Sequence, residues 1–289
     1  MTLYEEVRAA LRESEFRPRK RLGQNFLIHE RVIDSILALL DRDANALVVE
    51  IGPGLGFLTR RLLERAGKVW AVEVDPVLVE RLRRSDFAAN PNFQLIHGDI
   101  LEVALPEMLP KAKLQLVGNL PYSISTPVLF RVLEWYKHFS KLVLMVQKEV
   151  ADRIAGKRGT KDYGILSVWC QIHGRIAEKV NVSPEAFFPR PEVRSTVLQI
   201  EIFPEPLVAE DELPLLRDLL RAAFGQRRKI LGNALTSGLK LEREAVETYL
   251  RSCEIDPKRR GETLSVEEFI KLTRAARSLR RDLVTTTDR

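Results

Sequence analysis

The stretch Asn119-Leu120-Pro121-Tyr122 has the side chains best suited to chemistry in this sequence. It follows the apolar run 114–117, which predicts a strand, so it lies at the carboxyl end of that strand. Ligands of open α/β sheets bind at this edge. The Asn119 side-chain oxygen and the carbonyl preceding or belonging to Pro121 can accept both hydrogens of an exocyclic amine, while the Tyr122 ring stacks on the base. The stretch therefore predicts a site that holds a planar amino-substituted base and aims its nitrogen lone pair at an electrophile.

A glycine-rich segment, Glu50-Ile51-Gly52-Pro53-Gly54-Leu55-Gly56, separates a predicted strand from the next helix. Glycines let the backbone approach a ligand, and a helix N-terminus favours an anion. Glu73 closes the next strand about twenty residues further on, where a carboxylate can accept both hydroxyls of a ribose. A dinucleotide fingerprint expects glycine at the sixth position, which here is Phe57. This spacing counts against an NAD-dependent oxidoreductase, although Glu73 would suit NAD as well as another cofactor that contains a ribose. A tight turn that binds no ligand also stays open as an alternative.

The pair Gly98-Asp99 ends the third predicted strand. A carboxylate or the backbone at that position can hydrogen-bond an adenine amino group, whereas a lone Gly-Asp elsewhere is usually an ordinary turn. Its place at a strand end favours the ligand-binding interpretation.

The elements that must position these residues alternate between strand and helix from residue 47 to residue 146. Near-continuous apolar strands in such an alternation predict a parallel sheet covered on both faces, which is a doubly wound, Rossmann-like α/β fold. Strands at 177–182 and 196–203 predict an antiparallel pair at one sheet edge. Pro204 and Pro206 then mark a linker, and everything beyond them predicts helix. We therefore expect a domain at 1–203 and a small all-α domain at 204–289.

Composition limits the class of protein. The chain of 289 residues is long enough for a large domain and a smaller one, and its formal charge of +6 permits a polyanionic partner. Neither the two cysteines nor the four histidines have zinc-site spacing, so we expect no metal, reduced thiols and a cytoplasmic protein. No apolar run approaches the roughly 20 residues of a membrane span, so no membrane association is expected.

Taken in chain order, the glycine-rich segment, Glu73, Asp99 and Asn119–Tyr122 resemble class I S-adenosylmethionine-dependent methyltransferases that methylate adenine amino groups. The resemblance narrows to the ribosomal RNA adenine dimethyltransferase family, from about Arg17 to Leu272. Four segments of the chain are similar to that family: Leu22-Gly23-Gln24-Asn25-Phe26-Leu27, Gln147-Lys148-Glu149-Val150, Phe188-Pro189-Arg190-Pro191 with Val193 and Ser195, and Phe224-Gly225-Gln226-Arg227-Arg228-Lys229. Leu120 and the Gln-Arg-Arg-Lys element favour the bacterial small-subunit branch over the macrolide-resistance branch.

The resemblance implies S-adenosyl-L-methionine as cofactor and a role for each matching residue. Asn25 and Leu27 would meet its methionine end, Gly52 and Gly54 would line the loop, Glu73 would bind ribose, Asp99 would bind the cofactor adenine, and Asn119 would touch cofactor and target. Asn119, Pro121, Tyr122 and Phe188 would form the catalytic site, with Tyr122 and Phe188 on the two faces of a flipped adenine. An ordinary buried loop aromatic is the alternative for Phe188.

The family resemblance also implies RNA contacts for two basic segments. Arg19, Lys20 and Arg21 form an arm before the first motif, and Arg227, Arg228 and Lys229 form a cluster in the helical region. Such charge runs usually form solvated surfaces, but the proximity of these two segments to motif residues favours contacts with RNA phosphates. The implied substrate is a hairpin loop near the 3′ end of 16S rRNA in the assembling 30S subunit, where the enzyme would dimethylate two adjacent adenines. We expect the protein to be a monomer. The alternatives are a large-subunit rRNA target and a non-catalytic ribosome-assembly protein.

Overall fold

A computed structural model describes residues 3–13, 23–42, 46–110, 112–226 and 228–287, with the backbone alone for 10–13 and 277–287. The chain forms two compact units. The first contains Met1–Ala151 and Arg175–Pro204, and the second contains Asp152–Gly174 and Glu205–Arg289. The expected division at residue 203 differs from this grouping in one segment, 152–174, which the sequence pattern had assigned to the first domain. That segment contains a helix that packs against helices from the C-terminal part of the chain.

The first unit is built on a seven-stranded sheet. Its strands are β2 (Leu47–Ile51), β3 (Lys68–Glu73), β4 (Phe93–His97), β5 (Leu114–Asn119), β6 (Phe139–Gln147), β7 (Gly174–Val182) and β9 (Ser195–Ile202). Their order across the sheet is β4-β3-β2-β5-β6-β9-β7. The first five pair in parallel, and β9 runs antiparallel to β6. All five residues of β2 are buried, as expected for a central strand covered on both faces. The predicted doubly wound sheet with antiparallel strands at one edge is confirmed.

Helices and a small second sheet complete the first unit. The helices are α1 (Leu3–Glu13), α2 (Glu30–Ala38), α3 (Phe57–Leu63), α4 (Pro76–Arg83), α5 (Leu105–Met108), α6 (Ser125–Glu134) and α7 (Lys148–Ile154), the last of which continues into the second unit. The two-stranded antiparallel sheet pairs β1 (Phe26–Leu27) with β8 (Phe187–Phe188). This sheet joins two segments that are far apart in the sequence, with Phe26 opposite Phe188.

The second unit is helical in its described residues. It contains α8 (Ile165–His173), α9 (Leu213–Gly225), α10 (Leu231–Leu239), α11 (Arg243–Ser252) and α12 (Val266–Thr287). The Phe224 ring on α9 lies 5.8 Å from Tyr163 and 5.6 Å from Phe269, so aromatic contacts join α9 to α12 and to the turn before α8. Leu216 and Leu220 are completely buried in this core. The packing of α8 against α9 explains why 152–174 belongs to this unit.

Candidate functional site

One cavity in the first unit gathers residues from five separate segments. Its lining comes from 23–27, 50–55, 72–74, 98–100 and 119–122, together with several apolar side chains. Four of these segments follow or end parallel strands, whose carboxyl ends meet at one edge of the sheet. All the residues expected to bind the cofactor therefore line the same cavity, as do Pro121 and Tyr122.

The glycine-rich segment between β2 and α3 has left-handed backbone at Gly52, Gly54 and Gly56. A Cβ at Gly52 would meet only the Asn119 carbonyl oxygen, at 4.0 Å, so neighbouring side chains do not fill the space beside this residue. A Cβ at Gly54 would lie 3.2 Å from the Phe26 ring. The segment thus leaves open space at Gly52 and is in close contact with β1 at Gly54.

The Glu73 carboxylate organises the end of β3. Oε1 accepts hydrogen bonds from the Val74 and Asp75 backbone nitrogens at 3.0 and 2.9 Å, and Oε2 accepts one from Gly54 at 3.1 Å. Burial raises the pKa of Glu73, and these hydrogen bonds oppose the rise. A carboxylate has about four acceptor positions. Backbone nitrogens of the described chain use three of these positions, which leaves one acceptor position on Oε2 for a ligand. A pair of ribose hydroxyls would use two such positions.

Asp99 follows β4 in a turn. Its Oδ1 accepts a hydrogen bond from the Leu101 backbone nitrogen at 2.9 Å. Within the part of the chain that the structure describes, Oδ2 has no hydrogen-bond partner, and the residue lines the cavity. An acceptor is therefore available where an adenine amino group was expected to bind.

The Asn119 side chain is held in one orientation by a residue far away in the sequence. Its Nδ2 donates a hydrogen bond to the Asn25 carbonyl at 3.0 Å, and Asn25 Nδ2 donates to the Gly23 carbonyl at 3.0 Å. Because Nδ2 is committed to Asn25, the amide presents Oδ1 as its acceptor. This is the atom that the proposed amine-holding role requires.

The backbone carbonyls beside Asn119 are not equivalent. The Pro121 carbonyl accepts hydrogen bonds from Ile124 N at 3.1 Å and Ser125 Oγ at 3.0 Å, which form the first turn of α6. No donor of the described chain bonds to the Leu120 carbonyl, and Leu120 lines the cavity. Of the two carbonyls that the sequence left open, the one preceding Pro121 is therefore the available acceptor.

The two aromatic residues of the expected base pocket occupy different surroundings. The Tyr122 hydroxyl lies 2.8 Å from Ser195 Oγ. Burial raises the pKa of Tyr122, and the hydrogen bond to Ser195 opposes this rise. Phe188 is half-buried and is not among the residues that line the cavity. It is connected to the cavity through Phe26, its partner across the β1–β8 pair.

Gln24, which lines the cavity, and Asp75, whose backbone nitrogen donates to Glu73, had no role assigned from the sequence pattern. Asp75 is completely buried, and its Oδ1 caps α4 by accepting from Val77 N at 3.0 Å. Its Oδ2 accepts a hydrogen bond from Gln24 Nε2 at 2.8 Å, which ties the segment before β1 to the end of β3. The Asp75-Pro76 pair is a typical helix start and is the local signal that could have identified the cap.

Glu50 is a further residue that the pattern did not single out as functional. It is 2% exposed, lines the cavity and accepts a hydrogen bond from Thr59 Oγ1 at 2.6 Å. Burial raises the pKa of Glu50 to about 7, with Thr59 opposing the shift and the Glu73 charge adding to it. The cavity floor therefore holds a carboxyl group that changes charge near neutral pH.

Replacing Glu50 with Gln is expected to flatten the pH dependence of stability. Folding raises the pKa of Glu50 from 4.5 to about 7, so its contribution is full below the unfolded pKa and is lost as pH rises through about 7. The loss is on the order of 3 kcal/mol. Urea unfolding at pH 5 and pH 8 measures it. Glu102→Gln, at an exposed carboxylate, is the control and keeps the wild-type dependence. Equal pH dependence in Glu50→Gln and wild type would contradict the assignment.

The expected RNA-binding residues are only partly described. Arg19, Lys20, Arg21 and Arg227 lie outside the described residues. Arg228 and Lys229 are exposed between α9 and α10 in the second unit. Across the described ranges, no group of three or more His, Cys, Asp or Glu side chains could hold a metal ion. No helix in those ranges is long and apolar enough to cross a membrane.

Solved structures share this fold over most of their length. A dimethyladenosine transferase from Plasmodium falciparum superposes with a TM-score of 0.73 at 24% identity, covering 86% of this chain and 95% of its own. The 23S rRNA methyltransferase ErmE gives a TM-score of 0.63 at 25% identity, covering 87% and 99%. The fold, with its glycine-rich loop and acidic strand ends, defines a class I S-adenosylmethionine-dependent methyltransferase.

Sequence comparison identifies the family. Residues 15–277 match the model of the ribosomal RNA adenine dimethylase family, and the chain belongs to that family. The Ribosomal RNA small subunit methyltransferase A of Geobacter metallireducens is 44% identical over 273 residues, covering 93% of this chain and 99% of the relative. A relative of the same name from Clostridium acetobutylicum is 41% identical over 272 residues, covering 92% and 96%. The protein is therefore an S-adenosylmethionine-dependent enzyme that methylates adenine in ribosomal RNA.

The residues of the cavity fit S-adenosylmethionine. The open space beside Gly52, the remaining acceptor position on Glu73 Oε2 and the Oδ2 of Asp99 offer backbone approach and two carboxylate acceptors to an adenosine. Partly exposed apolar side chains, such as Val74, flank these carboxylates. The cavity therefore supplies the mixture of apolar surface and a few polar groups that is typical of cofactor sites.

Proposed function

We propose that this enzyme dimethylates the exocyclic amino groups of two adjacent adenines in a hairpin loop near the 3′ end of 16S rRNA. The proposed setting is the assembling 30S subunit in the cytoplasm, and the proposed active form is a monomer. The observation that carries the proposal is the acceptor pair at the end of β5, Asn119 Oδ1 and the Leu120 carbonyl, at the cofactor cavity. The 44% identity to a small-subunit enzyme over 99% of that relative favours this target over the large subunit.

Each residue at the cavity has a proposed role in holding the reactants. Asn25 and Leu27 would meet the methionine end of the cofactor, Gly52 and Gly54 would admit it to the loop, Glu73 would accept from the ribose, and Asp99 would accept from the adenine. When bound, S-adenosylmethionine supplies an electrophilic methyl group. Tyr122 and Phe188 would hold the extruded target adenine by stacking, at about 1–3 kcal/mol per ring.

Catalysis would depend on two acceptors rather than on a strong base. Hydrogen bonds from the target amine to Asn119 Oδ1 and the Leu120 carbonyl draw its lone pair out of ring conjugation. Because the amine becomes acidic only on methylation, its proton can leave to water. The monomethylated amine still has a lone pair and one hydrogen, which can bond to one of the two acceptors, so the same site can hold it for the second methylation. Positioning would thus supply most of the rate.

Methyl transfer from labelled cofactor to purified ribosomal particles tests the proposal. Immature small subunits, mature small subunits and large subunits are each incubated with enzyme, and the modified nucleotides are then mapped. We expect N6,N6-dimethyladenine at adjacent adenines of small-subunit RNA. Label confined to large-subunit RNA would identify the alternative target, and stable binding without label would identify a non-catalytic assembly factor.

The exposed pair Arg228 and Lys229 is proposed to contact RNA phosphates. Replacing both with Ala is expected to raise the KM for RNA and leave kcat nearly unchanged. Each lost phosphate contact should lower the slope of log KM against log salt by about 1. Lys68→Ala with Lys113→Ala removes the same charge at the amino-terminal ends of β3 and β5, opposite the strand ends that line the cavity, and serves as control. Equal salt slopes for the two double variants would show that this pair makes no phosphate contact.

A further inference from the structure

Helix α1 lies outside the part of the chain that matches the family model, because that match begins at residue 15. It is nevertheless packed into the first unit. The Val7 side chain is completely buried and belongs to a cluster with Phe26, Leu55 and Leu78. These three partners of Val7 line the cofactor cavity. Leu3 is also buried, in a neighbouring cluster that contains Phe187. The helix is therefore anchored directly behind the site.

Tyr4 on this helix contacts the aromatic ring expected to stack on the target base. The ring centroids of Tyr4 and Phe188 are 6.3 Å apart, with an interplanar angle of 70°, which is a favoured edge-to-face arrangement. The Arg8 guanidinium lies 5.6 Å from the Tyr4 centroid. Tyr4 is 40% exposed, and its hydroxyl makes no hydrogen bond to any described residue. The interaction of this side chain with the site is thus made by the ring and not by the hydroxyl.

Phe188 requires support from outside its own strand. It belongs to β8, which has two residues and pairs only with the two residues of β1 in its sheet. Two-stranded sheets of this kind are not stable in isolation. The Phe26 ring, opposite Phe188, is itself held against Gly54 of the cofactor loop, and Val7 packs in the same cluster. Contacts from α1 therefore reach both the cofactor loop and the base-stacking ring.

We propose that Tyr4 is a positioning residue for the target adenine, fixing the Phe188 ring before RNA binds. Ordering the ring during folding removes an entropic cost that binding would otherwise carry. Val7 performs the corresponding task for Phe26, so α1 supports both residues of the Phe26–Phe188 pair of β1 and β8. The inference rests on the proposed stacking role of Phe188.

Kinetics of Tyr4→Ala and Tyr4→Phe on the full-length enzyme test the inference. We expect Tyr4→Ala to lower kcat/KM for RNA by about 3- to 10-fold, with the Kd for S-adenosylmethionine and the Tm close to wild type. Tyr4→Phe keeps the ring and is expected to restore wild-type values. Met108→Ala truncates a comparably exposed side chain on α5 and should change nothing. An RNA hairpin with 2-aminopurine at the target position should lose less fluorescence on binding to Tyr4→Ala, because stacking is weaker.

Phe188→Ala separates the failure of this inference from the failure of the proposed function. If Phe188→Ala transfers methyl groups at the wild-type rate, the stacking role itself is wrong, and the role of Tyr4 fails with it. If Phe188→Ala is slow while Tyr4→Ala equals wild type, the positioning role alone is overturned. It is also overturned if Tyr4→Ala lowers Tm and cofactor affinity together, or if Tyr4→Phe is as slow as Tyr4→Ala. A double variant no slower than Phe188→Ala supports it.

Discussion

Replacing Asn119 with Ala is expected to lower the rate of methyl transfer by about 10²- to 10³-fold, the effect of removing one well-placed polar group from an active site. The variant loses Oδ1, the acceptor presented by an amide whose Nδ2 is committed to the Asn25 carbonyl. Cofactor binding should survive at reduced strength, because Glu73 and Asp99 are unchanged. Single-turnover transfer with saturating RNA and S-adenosylmethionine, together with calorimetric titration of the cofactor, measures the two effects separately.

Asn90→Ala is the matched control for this prediction. It makes the same chemical change in a turn after α4, where Asn90 Oδ1 accepts from Asn92 N. Its transfer rate should equal that of wild type. Wild-type transfer by Asn119→Ala would refute the amine-holding role. A loss of transfer fully explained by loss of cofactor binding would assign Asn119 to the cofactor alone.

Replacing Glu73 with Gln is expected to weaken S-adenosylmethionine binding by about 10- to 100-fold. The carboxylate accepts from three backbone nitrogens, and a Gln that keeps the two bonds from Val74 and Asp75 must turn its amino group towards Gly54 N. Two donors would then face each other, and the acceptor position on Oε2 proposed for ribose would be lost. Hydrogen bonds to a charged group contribute about 1.5–3 kcal/mol, which corresponds to the expected range at about 1.4 kcal/mol per tenfold.

Calorimetric titration with S-adenosylmethionine measures the Glu73→Gln effect. Glu102→Gln, an exposed acidic residue in the turn after β4, provides the control and should bind like wild type. We expect transfer by Glu73→Gln to recover substantially at high cofactor concentration, because Asn119 and Tyr122 are intact. An unchanged Kd would show that ribose binding does not depend on the Glu73 charge. A rate that stays low at saturation would place Glu73 in the chemistry itself.

The features that the sequence determined by itself depend on neighbouring residues. Strand positions followed from apolar runs, such as the run 114–117, which lies within β5 (Leu114–Asn119). The left-handed turn between β2 and α3 followed from three closely spaced glycines. Because parallel strands end at a common edge, these local predictions sufficed to bring Gly52, Glu73, Asp99 and Asn119 together at one cavity. Asn25 and Leu27, which line the same cavity, were expected there only from the family resemblance.

Only the tertiary structure decided which atoms remain available in that cavity. The bond from Asn119 to Asn25 joins residues 94 positions apart, and that from Gln24 to Asp75 joins residues 51 apart. No local pattern encodes such pairs, because they exist only once the sheet has formed. The same holds for the pKa of Glu50, which depends on burial, and for 152–174, whose helix α8 packs with the C-terminal helices. The sequence thus determined which strand-end residues meet at the sheet edge, whereas the packed structure decided which distant residues pair and which donors and acceptors are left for the reactants.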